Sequence, residues 1–162
     1  DGEMIFLDIG TTTAFVAHAL SEHSDLHVVT HSIVIANILA CRHGNRIYMA
    51  GGELRDHDAG AFGPEAIKFI GQFDIQHAVV STGGLHARKG VLVHHLCEAE
   101  LLGSVVGRAN KVIIGADHSK HNLRAPIRMC DFTDVDLVVT DGTPPEDLGA
   151  AMREGGVSVE VV

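Results

Sequence analysis

The sequence predicts an α/β fold, a mostly parallel sheet with helices on both faces. Strand-length runs such as Met4–Leu7, Leu26–Thr30, Lys111–Asp117 and Val135–Asp141 are nearly continuous in apolar residues. Absence of polar alternation marks strands buried on both sides. Helix-period segments separate most of them, the order that a parallel sheet requires. Nearly every run also ends in glycines, hydroxyls or charges. In such sheets ligands sit beyond the carboxyl ends of the strands.

The first run, IFLDIGTTT (Ile5–Thr13), organises the rest. Asp8 closes the strand, Gly10 permits a sharp turn, and Thr11, Thr12 and Thr13 stand beside the unpaired N–H groups of a helix start. That arrangement favours an anion, phosphate above all; a threonine that merely caps the helix is the bland alternative. The helix runs from about Thr13 to Ser21, with Phe15, Val16, Ala19 and Leu20 as its apolar set. Leu26–Thr30 is the second strand, and Ser32 is a plausible N-cap for a helix over Ile33–Cys41, with Ile35, Ile38 and Leu39 on one face. Gly44-Asn45 turns the chain into the strand Arg46–Ala50. It ends in GGELR, where Gly51 and Gly52 allow close backbone approach and Glu53 and Arg55 bring opposite charges; a surface ion pair is the bland alternative.

Asp56–Phe62 reads as an irregular loop, and Pro64 suits the first turn of a helix to Gly71. Ile75–Ser81 is the fourth strand and closes on STGG, which includes Gly83. Leu85–His95, turning at Lys89-Gly90, reads as a β-hairpin. Glu98 and Glu100 open a helix over Cys97–Ala109 with Leu101, Leu102, Val105 and Val106 buried; both carboxylates also suit the helix dipole. Lys111–Asp117 ends in DHSK, which sets Asp117 and Lys120 together. Ala125–Phe132, which contains a proline, reads as a connector. The strand Val135–Asp141 leads to a helix with Thr143 as N-cap and Pro144 at its first position. Gly155-Gly156 ends that helix, and Val157–Val162 is the last strand.

At 162 residues and 46% hydrophobic content the chain suits one globular domain. No apolar run is long enough to cross a bilayer, and no membrane partner is expected. The start, DGEM, has neither a basic signal region nor an initiator methionine, so a fragment of a longer protein is expected. The net charge of −9 repels nucleic acid, and the densest basic stretch, Arg42–Arg46, reads as a loop. Cys41, Cys97 and Cys130 lie in or beside apolar segments without CxxC spacing, and read as reduced core thiols of a cytoplasmic protein. Twelve histidines raise the question of a metal. His94 and His95 are adjacent, the spacing of His23, His27 and His31 is broken by a strand, and HExxH is missing. No metal and no cofactor are expected.

LDIGTTT, VVTHS, MAGGELR, a helix opening with CEAE, and ADHSK follow one another in this order over nearly the whole chain. The set resembles the effector-sensing C-terminal domain of the DeoR family of bacterial transcription regulators. FGPE, IGQFD and DHSK look most like its glycerol-3-phosphate repressor branch. The resemblance implies a Rossmann-like fold similar to ribose-5-phosphate isomerase and the CoA transferases. It implies a winged helix-turn-helix upstream, operator DNA bound through that domain and not this chain, and a homodimer or homotetramer. It also implies a phosphorylated sugar or polyol as inducer, glycerol 3-phosphate among the candidates. By position, Asp8, Gly10, Thr11, Thr12 and Thr13 would form the phosphate side. Thr30, His31 and Ser32 would line the pocket, with Gly51, Gly52, Glu53 and Arg55 opposite, and Gly83, Glu98, Asp117 and Lys120 would complete it. Lys120 would neutralise phosphate while carboxylates accept polyol hydroxyls. No catalytic residue is expected. This chain departs from the family pattern at His31, often asparagine, and at Leu102, commonly lysine.

A sugar-phosphate isomerase on the same fold is the competing reading, with Glu98 or Asp117 as base. It lacks a second amine beside Lys120. An actin-like sugar kinase is disfavoured because a helix follows DIGTTT and the chain is short. GxxxxGK[ST] and GxGxxG are missing from the sequence.

Overall fold

The computed structural model describes residues 2–41 and 44–162. Arg42 and His43, in the basic stretch expected to be a loop, lie outside the described residues. Seven strands form one parallel sheet. They are β1 (Met4–Leu7), β2 (His27–Thr30), β3 (Arg46–Met49), β4 (His77–Val80), β7 (Lys111–Gly115), β9 (Leu137–Thr140) and β10 (Ser158–Val161). Their spatial order is β10-β9-β7-β4-β1-β2-β3, so the chain winds outward from β1 in one direction and from β4 in the other. Between β1 and β4 the loops leave in opposite directions, which opens a crevice at the carboxyl ends of those two strands.

Successive strand residues point to opposite faces, and the core divides accordingly. Leu7 and Val28 pack with Ala17, Ile35, Ile38 and Leu39, under α1 (Thr11–Leu20) and α2 (Ile33–Leu39). Phe6 and Val29 face the larger core, shared with α3 (Pro64–Ile70), α4 (Leu96–Val106) and α5 (Glu146–Glu154). The expected stripe Leu101, Leu102, Val105 and Val106 is buried. Ser32 caps α2 by accepting the Ile35 N–H at 3.3 Å. Asn45 orders the turn before β3: its oxygen accepts the Leu26 N–H at 3.0 Å and its amide donates to Leu39 O at 3.2 Å.

The expected hairpin is present as β5 (Gly84–His86) and β6 (Gly90–Val93). A third antiparallel strand, β8 (Ile127–Cys130), pairs with β6. It lies within the segment expected to be a connector, because four residues behind a proline give no measurable alternation. The first helix begins two residues early, at Thr11, and its buried positions are Thr13 and Ala17. Phe15, expected in the core, is 75% exposed. The last helix begins at Glu146 with Pro145 as N-cap, not at Pro144 after Thr143. Of the three cysteines, Cys130 is buried, Cys97 half-buried and Cys41 exposed. Burial pushes the Cys130 thiol up to about 12, with Asp134 and Asp131 adding to the effect, so it matches the expected inert core thiol. Among the described residues no helix is long and apolar enough to cross a membrane.

These burials predict a sharp contrast between two phenylalanines. Phe6→Ala should lower the unfolding free energy by about 3–5 kcal/mol. Phe15→Ser should change it by less than about 0.5 kcal/mol. Urea titration of both variants checks this.

Candidate functional site

The crevice between β1 and β4 is a cavity of about 200 Å³. Asp8, Ile9 and Gly10 enter it from the end of β1, and Ser81, Thr82 and Gly83 from the end of β4. Val93 and His94 arrive from the end of β6, Glu98 and Leu102 from α4, and Lys120 from the turn after β7. Asp58 closes it from the long segment between β3 and α3. Local folding explains the shape. Gly10 has φ +144°, and a Cβ there would come within 3.3 Å of the Ser81 side chain. It is also the N-cap of α1, and no side chain caps that first turn among the described residues. Thr13 donates to Gly10 O at 3.1 Å instead. The first N–H groups of a ten-residue helix are therefore left facing the crevice end of the sheet.

Asp8 is 1% exposed, and both of its oxygens are engaged. Oδ2 accepts from the Ser81 N–H at 2.9 Å and the Ser81 hydroxyl at 2.6 Å, which fastens β1 to β4. Oδ1 lies 3.0 Å from Nε2 of His31, which is fully buried. Asp8 thus forms the floor of the cavity and is held there.

Glu98 is fixed from two directions. Its Oε2 accepts the His94 and His95 N–H groups, each at 3.1 Å, in a capping box at the start of α4. Its Oε1 accepts from Arg55 at 2.9 Å. Arg55 also donates to both oxygens of Asp58 and lies 4.1 Å over the Phe62 ring. Burial opposes the Arg55 charge, but Asp58 and Glu98 outweigh it and raise its pKa further. Burial likewise pushes the Asp58 carboxyl up. Hydrogen bonds from Arg55 and the Gly60 N–H outweigh this and hold it below the usual carboxylate range.

Of the residues singled out from sequence, Asp8, Gly10, Gly83, Glu98 and Lys120 share this cavity. Thr11 and Ser32 line an adjoining depression with Gly10, His57 and Asp58. Glu53 and Arg55 line another with Phe62 and Cys97, and Arg55 pairs with Asp58 and Glu98, not with Glu53. The others stand apart from the cavity. Gly51 lies in an outer depression against α3, and Gly52 serves the turn with φ +143°. The Thr12 methyl packs toward Gly115, and Thr13 is buried in α1. Thr30 is buried too; its hydroxyl donates to Leu7 O and accepts the Ser32 N–H. His31 lies beneath the floor. Asp117 is exposed and caps its own turn, its carboxyl lowered by hydrogen bonds from Ser119. His94 and His95 follow β6 rather than lying within a strand, so His94 reaches the cavity while His95 caps α4. Among the described residues no group of three or more His, Cys, Asp or Glu is placed to hold a metal ion.

Sequence reasoning missed Asp58, Ser81, Thr82 and His94. Ser81 and Thr82 had a signal, the small-residue strand end STGG. Asp58 had none: it sits in a loop whose return path depends on tertiary contacts.

The lowered Asp58 carboxyl sets a pH dependence. Its stabilisation is fully present above the unfolded pKa of about 3.9 and is lost as pH falls through the lower folded value. Asp58→Asn should therefore flatten the acid limb of stability below about pH 4, seen as urea midpoints from near-neutral to acid pH that fall less steeply than in the parent.

The family model of the DeoR C terminal sensor domain matches residues 1–142. The glycerol-3-phosphate regulon repressor of Escherichia coli strain K12 is 33% identical over 161 residues, which cover 99% of this chain and 64% of the repressor. The HTH-type transcriptional repressor CsqR of the same organism is 30% identical over 98% of this chain and 61% of its own length. This chain thus spans less than two thirds of the length of these relatives. A solved D-ribose-5-phosphate isomerase in complex with phospho-erythronic acid aligns with a TM-score of 0.51 at 20% identity, over 74% of this chain and 46% of the isomerase. That likeness is one of fold. With a matching family model over most of its length and a relative of one-third identity over nearly all of it, the chain belongs to the DeoR C-terminal sensor domain family.

Proposed function

We propose that this chain is the ligand-sensing domain of a DNA-binding transcriptional repressor of sugar or polyol catabolism. Its effector is a phosphorylated sugar or polyol, with glycerol 3-phosphate the first candidate. The observation that carries this reading is that anion-binding groups and carboxylates line one crevice. Gly10, the open first turn of α1 and Lys120 offer an anion donors and positive charge. Asp58 and Glu98, which line the same cavity, are acceptors for hydroxyl groups. A small molecule with a phosphate at one end and hydroxyls at the other complements both. The names of the relatives, one of them a glycerol-3-phosphate regulon repressor, point the same way.

Operator contact is assigned to an N-terminal winged helix-turn-helix outside this chain, in keeping with the net charge of −9. The full protein is expected to be a homodimer or homotetramer, matching a symmetric operator. An isomerase would need a mobile base beside the bound carbonyl. Here Glu98 is tied into fixed hydrogen bonds, Asp117 is exposed and caps its own turn, and Leu102 contributes an apolar wall. This favours binding over turnover.

Isothermal titration with phosphorylated sugars and polyols is the test. Glycerol 3-phosphate should bind, and unphosphorylated glycerol should give no comparable heat. Lys120→Ala should weaken binding about 10- to 100-fold, the loss of one charge-assisted hydrogen bond. Absence of heat and of thermal shift with every phosphorylated ligand would overturn the reading, as would turnover of ribose 5-phosphate abolished by Glu98→Gln.

A further inference from the structure

The segment from Gly51 to Gly63 leaves β3 and folds back across the carboxyl ends of β2 and β1 as a strap. It makes isolated bridges to Ser32 through Gly60 and within itself between Leu54 and Ala61. It brings Asp58 and Arg55 to the crevice. His31 meets this strap with almost every part of itself. Its backbone oxygen accepts the Ala61 N–H at 2.9 Å. Its Nδ1 lies 3.1 Å from Ala61 O, and its ring meets the Phe62 ring edge-on at 4.8 Å between centroids. Its other nitrogen reaches Asp8, which holds Ser81.

The protons on this ring are constrained. A carbonyl oxygen can only accept, so Nδ1 carries a proton toward Ala61 O. A proton must also lie between Nε2 and Asp8 Oδ1, whichever atom owns it, or two lone pairs would face each other in a water-free core. The ring therefore bridges two acceptors that belong to different parts of the site. One is the crevice floor and the other is the strap.

We propose that His31 is a positioning residue that couples the crevice floor, through Asp8 and Ser81, to the strap that carries Asp58 and Arg55. A ligand that draws the Ser81 hydroxyl away from Asp8 leaves Oδ2 short of a donor. The carboxylate then rebalances toward His31, and the ring passes the change to Ala61 and Phe62. Occupancy at the end of β4 is thereby read out in the position of the strap. The unliganded network carries the argument, and its ligand arm alone rests on the function proposed above.

Two substitutions cut the bridge at different ends. Asparagine places its amide nitrogen near the Nδ1 position and keeps the bond to Ala61 while releasing Asp8. Glutamine reaches the Nε2 position and keeps Asp8 while releasing Ala61. The experiment is hydrogen exchange at the strap amides of Arg55 and Ala59, which donate to Gly60 O and Arg55 O. It is run on the whole chain without ligand, with and without Ser81→Ala. In the parent, Ser81→Ala should speed strap exchange about fivefold or more, the lower end of measured coupling between sites. In His31→Asn and His31→Gln backgrounds the same change should have less than about half that effect. An equal effect of Ser81→Ala in all backgrounds overturns the proposal, because a merely structural histidine gives additive changes. No effect in the parent also overturns it.

The imidazole ¹⁵N resonances of His31 give a readout that needs no His31 variant. They should move on Ser81→Ala, and unchanged resonances count against the coupling even if both His31 variants fail to fold. With glycerol 3-phosphate as probe, the parent should gain protection in both the Ser81–Gly84 loop and the strap, and the His31 variants in the loop alone. Lack of protection anywhere in the parent speaks against that ligand, while the unliganded arms still decide the coupling.

Discussion

The carboxylate of Asp8 sits where the two halves of the sheet part, and its two oxygens bind in opposite directions. One holds Ser81 at the end of β4 and the other faces His31 at the end of β2. A polar group this deeply buried is tolerable because each of its oxygens has a hydrogen-bond partner. Among the described residues, each buried side-chain nitrogen or oxygen has a hydrogen-bond partner. The crevice exists because the strand order reverses there; it keeps its shape because Asp8 ties the three strand ends together. Gly10 suits the same constraint, since its φ of +144° disfavours a side chain and a Cβ there would press to 3.3 Å from Ser81 as Asp8 holds it.

Around this floor the remaining groups are fixed by their neighbours. Arg55 bridges Asp58 and Glu98 and offsets one of their two negative charges, and Glu98 in turn satisfies two N–H groups at the start of α4. Each of these pairs is only partly exposed, so solvent screens its attraction less than that of a surface ion pair, at some cost in desolvation. The result joins the strap to a helix on the opposite side of the crevice. Lys120 reaches the same cavity from a turn that is itself pinned: the Asp141 carboxylate at the end of β9 accepts the His118 N–H at 2.6 Å. Hydrogen bonding to Asp141 raises the His118 pKa and lowers that of the carboxyl. A site assembled from five loops and one helix acquires rigidity from such cross-links rather than from the loops themselves.

A sensor needs a preformed site and an element able to answer it. Here the preformed part is the floor, set in the sheet. The element proposed to answer it is the strap, which crosses the strand ends and carries Asp58 into the cavity. His31 stands at the joint between them. Its ring reaches two partners, Asp8 and Ala61, where a shorter amide would reach one. Differences at one buried position can thus change how a shared pocket is connected to the rest of a domain without changing the pocket's lining.

Periodicity determined the fold class, since apolar runs of strand length separated by helical segments admit few arrangements other than a covered parallel sheet. It also located Ser32 as a cap, the buried stripe of α4, and the strand ends that bring Asp8, Gly10, Gly83 and Lys120 to the cavity; Glu98 came from the family resemblance. Short elements were not legible. β8 has four residues after a proline, and Phe15 lies on a helix whose apolar residues do not say which face is inward. Tertiary structure alone decided which polar residues face the cavity and which hold it in place. Thr30, His31 and Asp117 belong to recognisable motifs, yet their polar groups are satisfied by backbone and neighbouring side chains. Asp58 comes from an unpatterned loop and becomes part of the lining because Arg55 and His31 draw the strap back over the sheet. A linear pattern records which residues reach the end of a strand; the direction of a side chain there depends on partners distant in sequence.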